Sequence, residues 1–186
     1  MCGWSEHCLP EQRGWPHRGG GSVTSPEDEE AFRVVMSRLA SGVCVLAARD
    51  GRHDLAITAT SVVSVSLDPP TVLFCVHSDA RIADAVSEGS RWAVSILGEK
   101  GLPEADWLAT PGRPTLDQLA RVPHTRGEHS GAAVLTAASA WLECETTWVR
   151  AAASHDVVVG RVLGTGVAPE NTGAIVHHLG GLRQLR

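Results

Sequence analysis

Between Ala56 and Pro70 the chain reads AITATSVVSVSLDPP. Small hydroxyl side chains alternate with Val there, and Asp68-Pro69-Pro70 ends the run. A side-chain period of two in β-branched residues belongs to a strand, and Pro cannot continue a ladder because it has no N–H to donate. The spacing predicts one strand over Leu55–Ser66.

The neighbouring segments extend the pattern. Val43–Ala48 is an unbroken apolar run, the signature of a strand covered on both faces, and Asp50-Gly51 is a hairpin turn signal. Thr71–His77 and Trp92–Leu97 read as further strands. Ala140–Ala151 and His155–Leu163 read as a hairpin across Ala152–Ser154, and Ile175–Leu185 as a last extended segment. Helical signals are few. Ser25-Pro26-Glu27-Asp28 combines an N-cap, Pro at the first helical position and acids in the first turn. Phe32, Val35, Met36 and Leu39 then follow at helical spacing, with Gly42 as the stop. Ser78 is the expected cap of a helix over Asp79–Ser87 that places Ile82 and Val86 on one face. Short helices are expected near Glu104–Leu108 and Thr115–Leu119 in a polar, Pro-rich stretch. No βαβ alternation, repeat, P-loop or post-strand GxGxxG occurs. The expected class is therefore mainly β (α+β), an antiparallel barrel with a few flanking helices.

A length of 186 residues suits a single domain. Residues 1–24 hold a Gly triplet and scattered Trp, His and Cys without a period. They read as a disordered N-terminal tail, with the domain at residues 25–186. The net charge of -5 gives no basic footprint for nucleic acid. No apolar run approaches the roughly 18 residues of a membrane span, and no apolar signal-peptide core opens the chain. A cytoplasmic protein is expected. The odd, scattered cysteines are not a disulfide framework. Cys44, Cys75 and Cys144 read as small buried hydrophobes. No spacing matches a metal site.

Three segments carry candidate chemistry. Thr58, Ala59, Thr60 and Ser61, continuing to Ser64 and Ser66, form a small-residue strand against which a flat ligand can approach the backbone. The same pattern also describes a plain solvated strand face. His77-Ser78-Asp79-Ala80-Arg81 stands at a strand-to-helix junction, where free N–H groups and Arg81 suit a phosphate. It also describes an ordinary capped helix with a surface Arg. His155, His177 and His178 can donate to a carboxamide or move a proton near neutral pH. Each one singly is more often structural or exposed. His53, His124 and His129 read as solvated.

In order, these segments resemble the short-chain flavin reductases, the reductase partners of two-component flavin monooxygenases. The likeness runs from Ala31 to Leu185. It rests on Ala40-Ser41-Gly42-Val43, on Ile57-Thr58-Ala59-Thr60-Ser61 through Ser64-Val65-Ser66-Leu67-Asp68-Pro69-Pro70, and on His77-Ser78-Asp79-Ala80-Arg81. Further matches are Trp92–Leu97, Trp141–Cys144, His155 with Gly160-Arg161-Val162, and His177-His178 through Arg183. The resemblance implies a Greek-key split β-barrel of the FMN-binding type, acting as a homodimer. It implies FMN or FAD against Thr58–Ser61, Ser64, Ser66, Cys75, Val76 and His77, with the phosphate near Ser78 and Arg81. It implies NADH or NADPH as co-substrate, with His155 and His178 as the catalytic, nucleotide-side residues. A flavin-dependent monooxygenase would receive the reduced flavin. Departures from the family pattern fall on the nucleotide side, at Ala153-Ser154, Leu179 and Leu182. They keep a second reading open: a non-catalytic barrel that binds flavin, a deazaflavin or haem.

Overall fold

The computed structural model describes residues 25–110, 112–114, 118–171 and 173–185. The expected tail at 1–24 and the start of the expected helix at Thr115 lie outside those residues. Two compact units are distinguished, one ending at Met36 and one spanning Ser37–Arg186. Helix α1 (Pro26–Ser37) forms where its cap predicts. The Ser25 hydroxyl accepts the Asp28 N–H at 3.2 Å and donates to the Asp28 carboxylate at 2.9 Å. No residue of α1 is buried, so Phe32, Val35 and Met36 form an exposed stripe. The expected stop at Gly42 is corrected. The helix ends at Ser37, and Gly42 pairs with Val176 in a short ladder between β1 (Ser41–Gly42) and β11 (Ala174–His178).

The second unit is built on a seven-stranded antiparallel sheet. Its strands are β2 (Cys44–Asp50), β3 (His53–Ala59), β4 (Val63–Leu67), β5 (Pro70–His77), β6 (Arg91–Leu97), β9 (Ala138–Ala152) and β10 (His155–Val167). They lie in the order β3-β2-β6-β9-β10-β5-β4. A small sheet joins β1, β11 and β12 (Gly181–Leu185), and β7 (His124–Arg126) pairs with β8 (Ala133–Leu135).

The single strand expected over Leu55–Ser66 is two strands, broken at Thr60–Val62, and they occupy opposite edges of the sheet. A flat seven-stranded sheet would hold its edges about 29 Å apart, at about 4.8 Å per strand. The chain from Ala59 to Val63 spans at most about 14 Å. The sheet must therefore curl until its edges approach, yet β3 and β4 do not pair. The result is a barrel left open along one seam, the expected split barrel.

The continuous apolar run of β2 is explained by two cores. Cys44, Leu46 and Ala48 face one that includes Phe74, Ile82, Val86 and Trp92. Val43, Val45 and Ala47 face another that includes Leu97, Leu108, Leu135 and Ile175. Phe74 meets Trp92 edge to face at 4.9 Å. The buried Trp92 indole donates to the Thr146 hydroxyl at 2.8 Å, which donates to the Val86 carbonyl at 2.9 Å, so no polar atom is stranded. Gly160 is required beside this ring, because a Cβ there would stand 2.6 Å from it.

The hairpins turn where the sequence says. Asp50 pairs with His53 across a two-residue turn containing Gly51, whose φ is +58°, and His155 pairs with Ala152 across Ala153-Ser154. The last extended segment is corrected to a hairpin, β11–β12, turning at Leu179-Gly180. Helix α2 is shorter than expected (Arg81–Ala85). Its cap residue is Ala80, with no side-chain cap bond, so Ser78 does not cap it. The Ser78 N–H instead donates to the Ser154 carbonyl at 3.0 Å, tying this corner to the β9–β10 turn. Helix α3 (Leu102–Ala109) covers the expected Glu104–Leu108. Cys44 and Cys144 are buried free thiols, raised by burial to about 11 and about 12, and Cys75 is a half-buried free thiol.

Candidate functional site

The seam of the barrel opens into a groove of about 710 Å³. One wall is Thr58, Ala59, Thr60 and Ser61, where β3 ends. Cys75, Val76 and His77 of β5 join it, with His155 from the start of β10. The small sheet adds His177 and Gly180–Leu182, and the segment around α3 adds Asp106 and Arg113.

The small residues matter because β3 is an edge strand. In an antiparallel pair the N–H and C=O of one residue point to the same side, and successive residues alternate. Ala56 points its pair away from β2: its N–H donates to the Gln118 side chain at 3.2 Å, and its carbonyl accepts from Arg113 at 3.0 Å. The β2–β3 register is unbroken, so Thr58 points its N–H and C=O the same way. The Thr58 hydroxyl is occupied elsewhere, donating to the Ala105 carbonyl at 2.8 Å. The groove thus meets a backbone donor and acceptor side by side, with only a small side chain between them and a ligand.

Ser61 has a positioning task. Its hydroxyl accepts the Cys75 N–H at 3.0 Å and donates to the Cys75 carbonyl at 3.1 Å, fixing the β3–β4 link against β5 across the seam. Beside that corner, His77 and His155 are directly paired across strands, with ring centroids 5.1 Å apart and edge to face. The Asp79 N–H donates to His77 Nδ1 at 3.2 Å, and Ser154 Oγ stands 3.0 Å from His155 Nδ1. Among the described residues the Nε2 atoms carry no such bond.

Of the residues singled out from sequence, Thr58, Ala59, Thr60, Ser61, Cys75, Val76, His77 and His155 share this groove. Ser64, Ser66, Ser78, Arg81 and His178 do not line it. Ser64 lies on the exposed strand β4, and Ser66 bonds the Asp68 backbone in the β4–β5 turn. Arg81 lines an adjoining side pocket and stands 3.8 Å from the Asp50 carboxylate. His177, rather than His178, faces the groove from β11. Arg113 and Asp106 were not singled out from sequence. They belong to a Pro-rich stretch without period, and Arg113 meets Ala56 across 57 residues of chain, so no local signal marks it.

A second cavity, of about 410 Å³, lies around Glu143, His129, Trp141 and Gly164. Glu143 is 4% exposed. It accepts N–H bonds from Glu128 (3.1 Å), His129 (2.9 Å) and Ser130 (2.7 Å), and the Ser130 hydroxyl at 2.7 Å. Burial pushes its carboxyl up. The Ser130 hydroxyl, the two N–H bonds from Ser130 and His129, and the nearby His129 ring outweigh that and hold it below the usual range.

Comparisons with known proteins agree with this geometry. The sequence profile named flavin reductase like domain matches residues 36–186. The probable flavin reductase of Rhizobium meliloti is 33% identical over 147 residues, which is 78% of this chain and 45% of that protein. The chain thus spans about half the length of that relative. The crystal structure of the flavin reductase component of a bacterial two-component tryptophan halogenase superposes with a TM-score of 0.78 at 34% identity, covering 85% of this chain and 98% of that one. The NADH:FAD oxidoreductase of Streptomyces globisporus, solved with NAD and FAD fragments, superposes with a TM-score of 0.79 at 29% identity, covering 89% and 98%. A profile match over most of the chain, on a split barrel whose seam exposes a backbone edge, makes this chain a member of the flavin reductase like family.

Proposed function

We propose that the protein is an NAD(P)H:flavin oxidoreductase that reduces FMN or FAD for a partner monooxygenase. The observation that carries this is the outward-facing N–H and C=O of Thr58 in a groove walled by small residues. A flavin presents a flat ring with alternating donors and acceptors along one edge, which such a backbone pair can read. The solved relative with NAD and FAD fragments supports the same pairing of ligands.

When bound, the cofactors supply the chemistry themselves, a hydride passing from the nicotinamide to the flavin. The chain's task is placement. Thr58 and the Ala59–Ser61 corner hold one face and edge of the ring, and Ser61 keeps that corner rigid through Cys75. His155 borders the space left for the nicotinamide nucleotide, backed by His77 and able to donate from Nε2. Stacking two rings in register accounts for much of the rate gain in a transfer of this type. His178 lies one residue beyond the groove-lining His177 at the end of β11 and is assigned with it to the nucleotide side.

Residues 25–186 form the catalytic domain, and the protein works in the cytoplasm. Among the described residues no helix is long and apolar enough to cross a membrane. The working unit is a homodimer. Edge strand β4 supports this, since it exposes Val63 (51%), Val65 (51%) and Leu67 (87%) beside an unpaired backbone edge.

The deciding experiment is steady-state oxidation of NADH and NADPH by the purified protein with FMN or FAD. Turnover with at least one pair is expected. Flavin binding without turnover selects the non-catalytic flavin-binding reading, which the Ala153-Ser154 departure favours. An absence of flavin binding rejects both.

A further inference from the structure

The groove does not end at Thr58. A side pocket of about 280 Å³ adjoins it, and the two share Ile57, Ala80 and Arg113. Arg81 and Gln118 complete the far side of that pocket. Two guanidinium groups thus border the passage by which a ligand would leave the groove.

They are not equivalent. Arg81 already has a counter-ion, the Asp50 carboxylate at 3.8 Å, and both side chains are about half exposed. Arg113 is half-buried and has no carboxylate within ion-pair distance among the described residues. Among those residues it bonds only neutral carbonyls, Thr110 at 3.1 Å and Ala56 at 3.0 Å. Its Nε is buried without any partner there. Burial lowers its basicity with no compensating anion. A guanidinium carries five donors, and two carbonyls leave most of that capacity unused. A half-buried cation with spare donors and no counter-ion is a costly arrangement that an arriving anion relieves.

Its position fixes which anion. Arg113 bonds the carbonyl of Ala56, two residues along the same outward strand edge from Thr58. That is about 7 Å from the pair proposed to read the flavin ring. We infer that Arg113 binds the phosphate of the flavin, drawing the anionic tail out of the groove into the side pocket between Arg113 and Arg81. This rests on the flavin reading above and adds the residue that selects phosphorylated flavin over the bare ring system.

Fluorescence titration of the full-length protein with riboflavin, FMN and FAD tests this, because riboflavin has the ring without the phosphate. The wild type is expected to bind FMN at least about tenfold more tightly than riboflavin, the scale of one charge-assisted contact. Arg113→Gln should weaken FMN and FAD by about tenfold and leave riboflavin within about twofold. Arg113→Lys should recover part of the loss, retaining charge without the fork. Equal loss for all three flavins would assign Arg113 to strand placement alone and overturn the inference. A rise in nucleotide KM with unchanged FMN binding would overturn it too, moving the anion to the nicotinamide side. If Arg113→Gln fails to fold, the wild-type ratio decides: equal riboflavin and FMN affinities refute a phosphate contact. A wild type that binds none of the three refutes the flavin reading beneath it, a different result from any of these.

Discussion

Two cavities of the barrel hold polar groups in opposite conditions. Around Glu143 the carboxylate is saturated: three backbone N–H groups and one hydroxyl converge on it. In the seam groove the valences stay open. Thr58 offers an outward N–H and C=O, the paired His77 and His155 keep their Nε2 atoms free of local bonds, and Arg113 has spare donors. A saturated buried network stores stability, whereas an unsaturated one waits for a ligand. The Glu143 cavity is a structural staple that closes the Gly127–Gly131 loop, and the groove is the site.

The largest expected effect breaks the saturated side. Glu143→Ala strands three N–H groups and a hydroxyl, and should cost roughly 2–4 kcal/mol. In a domain of this size that lowers Tm by about 5–12 °C, read by calorimetry. The flavin affinity of the folded protein should be unchanged. A selective loss of flavin binding would reverse the contrast between the cavities.

Acid should act through the same carboxylate. Its folded pKa lies below its unfolded value, so the stability it contributes is complete above the unfolded value, about 4.3. It is lost as pH falls through the folded value. Asp54, held low chiefly by its hydrogen bond to Arg126, behaves alike. Urea midpoints should therefore fall below about pH 4.5, and Glu143→Gln should flatten part of that decline. A variant curve parallel to the wild type would refute the role of Glu143.

Three smaller effects sharpen the groove side. Ser61→Ala leaves the Cys75 N–H and C=O without their partner and should cost about 1–2 kcal/mol, measured by denaturant unfolding. Flavin affinity should fall with it, because the corner loosens. His155→Ala should raise nucleotide KM about fivefold and leave flavin Kd nearly unchanged, since one hydrogen bond is lost on one ligand. Equal effects on both would make His155 structural. Thr58→Val should be the mildest. Its hydroxyl serves Ala105, so flavin Kd should move by about twofold at most while Tm drops slightly. A large loss of affinity would mean the side chain, not the backbone, reads the ring.

Much of the barrel was legible in the residues. The period of two marked the strands, Gly51 and Asp68-Pro69-Pro70 marked turns, and Ser25-Pro26 marked a helix start. The Thr58–Ser61 corner was readable as a candidate through its small hydroxyl side chains and its place in an ordered series of motifs. Other features gave no local sign. The run from Leu55 to Ser66 looked like one strand, because the alternation continues across Thr60–Val62 where the backbone bends. Ser78 looked like a cap, but its N–H is drawn to Ser154 on another hairpin. His177 and His178 could not be told apart, because the β11–β12 hairpin decides which one faces the groove.

Neighbouring residues therefore fix what short-range chemistry can fix: period, turn, cap and family. Tertiary structure decided the rest. Curling the sheet put β3 and β4 on opposite sides of one seam, and this exposed the backbone edge at Thr58. It brought Arg113 to Ala56 across 57 residues and closed the loop at Glu128–Ser130 over Glu143. Such contacts come from loop closure and packing between distant segments, which leave no periodic trace in the chain.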